Sequence, residues 1–385
     1  MRTDPPFVQE KYIEAARRVA LVTRDHVDEI ERGQKIPDEL VTMANDAELF
    51  RLYAKQAVGG PELDPFTTYR VMEELARADG SMAWVAMLST TQTYLTAWLP
   101  DDVVCEMRAV PGDLRLAGSS RPLGTANVVP GGYRFSGRWD FGSGIEHSTW
   151  VMAMCKVLDG EHAGSMRAMF VRPTDVEIIR VWDVMGMRGS GSNDFVAADV
   201  FVPSRFTSSF GGELPGAPLL YHPRLMRIVA QAPTAAINIG LGLGLLDAFS
   251  ELAKGASTTS SSTVLRERRN VQAAFAEATA IVESTRAFVL DSMAESWTIM
   301  IDGHADPTDA IARTRLGFVH AARQMMRVGE LLFTAAGTSG AFRSVGLERR
   351  VRDLHIARLF KAYDDSIAEG AGRILLGLAP QGEGW

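Results

Sequence analysis

The hydrophobic period of this chain changes twice, and that constrains its fold more than any single motif. From Phe7 to about Cys105 apolar residues recur at three- and four-residue spacing, as in Tyr12-Ile13-Ala16 and Val71-Met72-Leu75-Ala76, the period of helices that bury one face. Ile36-Pro37, Gly59-Gly60-Pro61 and Ala78-Asp79-Gly80 interrupt it, which predicts roughly four or five helices. From Asp113 to about Ser208 the chain reads instead in short apolar runs between turn residues: Gly132 to Gly137, Val151 to Val157, Arg167 to Val171 and Phe195 to Val202. After Pro223 the helical period returns, with Val289, Met293 and Trp297 on one face and Leu316 and His320 on another. The order predicts an α+β chain: an N-terminal helical domain over 1–110, a central β-sandwich or barrel domain over 111–215, and a C-terminal four-helix bundle over 216–385. The Ser257-to-Thr263 tract, all serine and threonine, reads as a mobile linker.

The chain has 385 residues, 46% of them hydrophobic and 23% charged, which favours a folded globular protein over a disordered one. A net charge of −7 repels a phosphate backbone, so nucleic acid is not an expected partner. Two cysteines, Cys105 and Cys155, lack zinc-type spacing and read as core thiols. The N-terminus has two prolines and alternating charge where a signal peptide needs an apolar run, and a cytoplasmic location is expected. Ile228 to Phe249 is apolar but carries Gln231, Pro233, Thr234, Asn238 and Asp247, so it reads as a buried helix and no membrane is expected.

Several catalytic signatures fail. Gly240-Leu-Gly242-Leu-Gly244 places Leu245 where a dinucleotide loop needs its third glycine, and it reads better as small residues that let a neighbouring helix approach. The seven histidines show no ligand spacing, so no metal is expected. Gly189-Ser190-Gly191 does not complete a nucleophile elbow.

Three segments stand out together: Phe135 to Trp150, reading FSGRWDFGSGIEHSTW; Gly186 to Asp194, reading GMRGSGSND; and Arg349 to His355, reading RRVRDLH. In this order they resemble the acyl-CoA dehydrogenase fold, and more narrowly the two-component flavin-dependent monooxygenases built on it, over nearly the whole chain. The resemblance implies a homotetrameric oxygenase. It would take reduced FMN or FAD from a separate flavin reductase, react with O2 through a C4a-hydroperoxide, and oxygenate a small, aromatic substrate. An isoalloxazine needs an apolar face and a few hydrogen-bonding groups along its edge. On a regular strand Trp139, Phe141 and Ser143 share one face, two aromatics beside a hydroxyl, and the resemblance sets Ser143 against flavin N5. It also sets the glycine-rich turn, with Ser190 and Ser192, near the flavin, and Gly118-Ser119-Ser120 along the ring. Arg266, with Arg268 and Arg269, resembles the family's helix entry near the flavin phosphate.

The chain also departs from its relatives. A dehydrogenase of this fold needs a carboxylate base after the R-D segment. Lys361 stands near that position, although Asp364, Asp365 or Glu369 could substitute from the next turn. The monooxygenases commonly place one histidine after the A-W-V element and another about five residues past the His of R-D-x-H. Here Ala83-Trp84-Val85 is followed by Gln92, and the later position holds Phe360 with Tyr363 beyond. Gln92 and Tyr363 suit a substrate that needs no deprotonation, while His355 remains as a catalytic or structural histidine. Trp84, Met87, Gln92, Tyr94 and Tyr363 are the expected substrate-side residues. The competing readings are an FAD-dependent dehydrogenase or desaturase and a catalytically silent binding subunit.

Overall fold

The computed structural model describes residues 8–255, 257–258, 261–303, 306–382 and 385, with the side chains of 256–263 outside that description. Local chemistry sets the first helices. Helix α1 (Glu10–Asp25) stops at His26, whose backbone leaves the helical region and whose Nδ1 turns back to the Val22 carbonyl at 3.0 Å. Helix α2 (Val27–Gly33) ends at Gln34 in the left-handed region, φ 54°, and α3 (Asp38–Asp46) starts directly after Pro37. Helix α4 (Pro65–Ala78) has proline in its first turn and the Asp64 carboxylate accepting from the Phe66 and Thr67 N–H groups. Asp79 caps α5 (Gly80–Leu95) in the same way through Met82 N–H at 2.9 Å. With α6 (Asp101–Arg108), six described α-helices precede the strands, not four or five. The break at His26 contains neither glycine nor proline, so the sequence carries no punctuation there.

The predicted strands all form. One seven-stranded sheet runs in the order β5-β6-β2-β1-β3-β4-β7. Its members are β1 (Leu116–Val129), β2 (Gly132–Gly142), β3 (Trp150–Val157), β4 (Met166–Val171), β5 (Glu177–Ile179), β6 (Asn193–Pro203) and β7 (Thr207–Ser208). The β1–β3 pair is parallel and the others antiparallel, so the sheet is mixed, and it curls until β4 also touches β6. Phe135, Trp139, Phe195 and Met152 fill its core, with Val103, Val104 and Met107 of α6 closing one side.

The C-terminal helices are α7 (Met226–Gly255), α8 (Arg269–Asp302), α9 (Thr308–Ala336), α10 (Leu347–Ala357) and α11 (Asp365–Leu375). Helices α7 to α10 share one continuous hydrophobic core with α1 to α5, while α11 packs Ala371 and Ile374 against Ala312 of α9 in a smaller cluster. The glycines of α7 allow that union: a Cβ on Gly240 would lie 2.4 Å from the Glu73 carbonyl oxygen, and one on Gly244 would lie 2.7 Å from that of Arg77. Gly240 and Gly244 therefore seat α4, while a Cβ on Gly242 would lie 2.3 Å from Met325 Sδ of α9, so the triplet makes room for neighbouring helices on two sides. Helix α7 is long and apolar enough to cross a membrane, yet 83% of that window is buried inside the protein.

Two expectations change. Cys155 is a core thiol, but Cys105 is exposed on α6, because that helix buries only Val103, Val104 and Met107. Within the serine-threonine tract, the backbone of Ser257–Thr258 pairs with Ser261–Val264 as a two-stranded ribbon, and residues 259–260 lie outside the described residues.

Candidate active site

Helix α5 forms one wall, and hydrogen bonds fasten it to β1. The Ser89 hydroxyl accepts from Leu116 N–H at 3.1 Å, and Gln92 Nε2 donates to the Gly118 carbonyl at 2.9 Å. That carbonyl is presented by a backbone only glycine tolerates: φ is 140°, and a Cβ would sit 1.9 Å from the Met152 oxygen. Donation from the Gln92 amide nitrogen turns its Oε1 the other way, where it is buried without a hydrogen-bond partner among the described residues. Beyond Gly118 the β1–β3 register shifts between Ser119 and Gly124; Ser119 is buried there and Ser120 exposed.

Nearer the start of α5, Trp84 Nε1 donates to Ser143 Oγ at 3.3 Å. Ser143 Oγ lies 2.5 Å from Ser192 Oγ, which lies 2.8 Å from Ser190 Oγ. All three serines are buried, and Gly144 N–H donates to the Ser190 carbonyl to join the two loops. When Ser192 donates to Ser143, both lone pairs of Ser143 are filled, and its own proton is the one left to reach a ligand.

The strand reading of Trp139, Phe141 and Ser143 needs correction. A register shift between Trp139 and Gly142, with Phe141 at φ 60°, breaks the alternation. Trp139 points into the sheet core, stacked on Phe195 at 5.2 Å with its N–H on the Met154 carbonyl. Phe141 turns outward, 53% exposed, edge-on to Trp182. Only Ser143 of the three reaches the hydroxyl chain.

The glycine-rich turn is also built differently from its sequence reading. Its missing β-carbons make room for protein: a Cβ on Gly186 would lie 2.3 Å from the Arg352 carbonyl oxygen, and one on Gly189 would lie 2.0 Å from Ile30 Cγ2. Asp353 anchors the turn, its Oδ1 accepting from Met187 N–H at 2.5 Å while Met187 adopts φ 52°. Burial, and then the charge of Asp79, raise the Asp353 carboxyl to about 7. Asp353 therefore ties α10, the serine turn and the start of α5 together. The neighbouring Arg352 does not pair with it but with Glu348 at 2.6 Å and Glu31 at 2.8 Å.

The remaining candidates divide. Tyr363 is buried, and its hydroxyl accepts from Asn238 Nδ2 at 3.0 Å. Phe360 links it to the site, 6.3 Å from the Tyr363 ring and 5.6 Å edge-on from Trp84. Tyr94 is set in an aromatic cluster with Tyr53, Trp98 and Tyr221, its hydroxyl donating to the Leu220 carbonyl, so its polar atom is committed to the core. Met87 is buried one turn along α5 from Trp84, and His355 is half-buried on α10. Arg266 is exposed on the turn before α8, where its carbonyl accepts from Gln272 Nε2 at 3.1 Å. Lys361 and the candidate substitute bases all lie outward: Asp364 caps α11 through Ser366 N–H, Asp365 pairs with Arg323 at 2.6 Å, and Glu369 is exposed.

Residues 8–98 match the acyl-CoA dehydrogenase N-terminal domain, and residues 232–365 match the acyl-CoA dehydrogenase C-terminal domain. The chain belongs to the acyl-CoA dehydrogenase family. Among its relatives, an indole-3-acetate monooxygenase of Pseudomonas putida is 27% identical over 93% of this chain and 91% of its own. The oxygenase subunit HsaA of a flavin-dependent monooxygenase of Rhodococcus jostii is 26% identical over 89% and 91%. The crystal structure of XiaF from Streptomyces, in complex with FADH2 and glycerol, superposes with a TM-score of 0.88 at 23% identity, covering 97% of each chain, and so shares the fold.

The residues along α5 and the two serine loops fit a flavin ring. The buried hydroxyls of Ser143, Ser190 and Ser192 and the open Gln92 Oε1 offer uncharged hydrogen bonding, and Trp84 and Phe141 offer aromatic surface.

Proposed function

We propose that this chain is the oxygenase component of a two-component flavin-dependent monooxygenase acting on a small aromatic substrate in the cytoplasm. Reduced FMN or FADH2, delivered by a separate reductase, supplies the two electrons with which O2 gives one oxygen atom to substrate and one to water. Ser143 would donate to the ring edge, with Trp84, Ser192 and Ser190 holding its hydroxyl. Gln92, Ser119, Ser120 and Phe141 would border the ring, and Trp84, Phe360 and Tyr363 would form the substrate wall. The activities named for its relatives and the uncharged character of the wall support this reading. The exposed apolar side chains Leu359, Phe342 and Leu376 support the homotetramer.

One observation carries the choice of oxygenation over dehydrogenation: the carboxylates that could remove a substrate proton lie on the surface, while the Ser192 hydroxyl and the Trp84 indole face Ser143. Burial pushes the Tyr363 phenol up, so it serves as a neutral hydrogen-bonding group near neutral pH. Exclusion of water by these aromatics would protect the oxygen-transfer step.

The test combines the protein with a flavin reductase, NADH, FMN or FAD, 18O2 and indole as a probe. The expected product carries one 18O atom, and Ser143→Ala diverts consumed oxygen to hydrogen peroxide. Oxidation of an acyl-CoA thioester with bound FAD, and no labelled aromatic product, would overturn the proposal.

A further inference from the structure

The helical core contains polar atoms that the described residues leave unpaired. Asn238, fully buried on α7, donates both amide hydrogens, to the Thr234 carbonyl at 3.1 Å and to the Tyr363 hydroxyl at 3.0 Å. Its Oδ1 is left buried with no hydrogen-bond partner among the described residues, and so is the hydroxyl of Tyr69 on α4. Buried polar atoms in native proteins are nearly always paired with protein, water or ligand. The two helices run side by side where Gly240 seats against Glu73 and Gly244 against Arg77. Tyr69 lies one turn before Glu73, and Asn238 lies just before Gly240. Tyr363 joins them: its hydroxyl is bonded to Asn238, and it lies within electrostatic range of Tyr69.

We propose that Tyr69, Asn238 and Tyr363 form a subsite that binds an uncharged hydroxyl group of the aromatic substrate. A hydroxyl both donates and accepts, which matches the open acceptor of Asn238 and the open phenol of Tyr69. Burial holds the Tyr69 phenol well above its ordinary range, so it remains a donor. A carboxylate does not fit, because the nearby charges are already matched: Glu73 pairs with Arg286 at 2.7 Å and with Arg70 at 3.2 Å. The aromatic path from Tyr363 through Phe360 to Trp84 ends at Ser143, so the subsite would hold one end of a substrate whose other end faces the ring.

This inference rests on the aromatic monooxygenase reading, and its test uses binding without turnover. Naphthalene and its two monohydroxy derivatives are titrated anaerobically into the protein, with and without reduced FMN. At least one naphthol should bind about tenfold tighter than naphthalene, the gain expected from two neutral hydrogen bonds. Tyr69→Phe and Asn238→Leu should each reduce that ratio to about threefold or less while leaving the naphthalene Kd unchanged. Tyr69→Phe removes a single oxygen and retains the packing volume, so it reports even where Asn238→Leu fails to fold. Equal binding of naphthalene and both naphthols, or a ratio retained in Tyr69→Phe, would overturn the subsite. The latter result would mean that buried water pairs these atoms. A lost ratio with oxygenation intact refutes only the subsite, whereas an intact ratio without oxygenation refutes only the proposed activity.

Discussion

Replacing Asp353 by Asn should stabilise the protein at pH 8 and change little near pH 4. The carboxyl is 2% exposed, and burial followed by the charge of Asp79 lifts it from 3.8 to about 7. Arg349 and the Met187 N–H oppose that rise, and Glu31 adds to it. The folded state thus retains a proton that the unfolded chain has already released between about pH 4 and pH 7. Stability from this group is full below that window, falls as pH rises through it, and is flat above it. At about 1.4 kcal/mol per pH unit, that window gives the group an upper bound of ~4 kcal/mol. Asparagine keeps an oxygen for Met187 N–H and carries no charge, so the serine turn should remain in place. Urea unfolding at about pH 5, 6, 7 and 8 would show the variant's advantage growing to about pH 7 and then levelling. A variant less stable than the parent at pH 8 would refute the reasoning, since it would mean that Asp353 is held ionised by Arg349.

Gly118→Ala should destabilise the fold by roughly 3 kcal/mol or more, because its Cβ would meet the Met152 carbonyl at 1.9 Å in a backbone of φ 140°; thermal unfolding checks it. Native protein should react with a thiol reagent once and quickly, at exposed Cys105. Cys155, whose thiol burial pushes up to about 12, should react only on unfolding, and two equally fast thiols would contradict the placement. Ser192→Ala removes one hydrogen bond from Ser143 and should weaken reduced-flavin binding about three- to tenfold, measured by anaerobic fluorescence titration.

The strands were legible because glycine, proline and turn residues bound each run, and the buried α7 was legible from its interrupting polar groups. The site was only partly so. Ser143, Trp84 and Gln92 stand in recognisable local patterns, and the structure brings Trp84 to Ser143 while it seats Gln92 against Gly118. The bulge at Phe141 defeats the two-residue period, since a strand pattern assumes regular pairing. The turn glycines read in sequence as room for a ligand, yet the groups they accommodate lie in α2 and α10, which no local pattern joins to them. Asp353 and Asn238 escape for the same reason: their partners Met187 and Tyr363 stand 166 and 125 residues away.

The most direct test of the central claim is an anaerobic titration of the protein with reduced FMN and FADH2, followed by rapid mixing with oxygenated buffer. The account predicts that a reduced flavin binds with quenching of Trp84 fluorescence, lost in Trp84→Phe, and that oxygen then yields a transient spectrum distinct from both reduced and oxidised flavin before hydrogen peroxide appears. Tight binding of oxidised FAD with no such transient, or no binding of either reduced flavin, would contradict it.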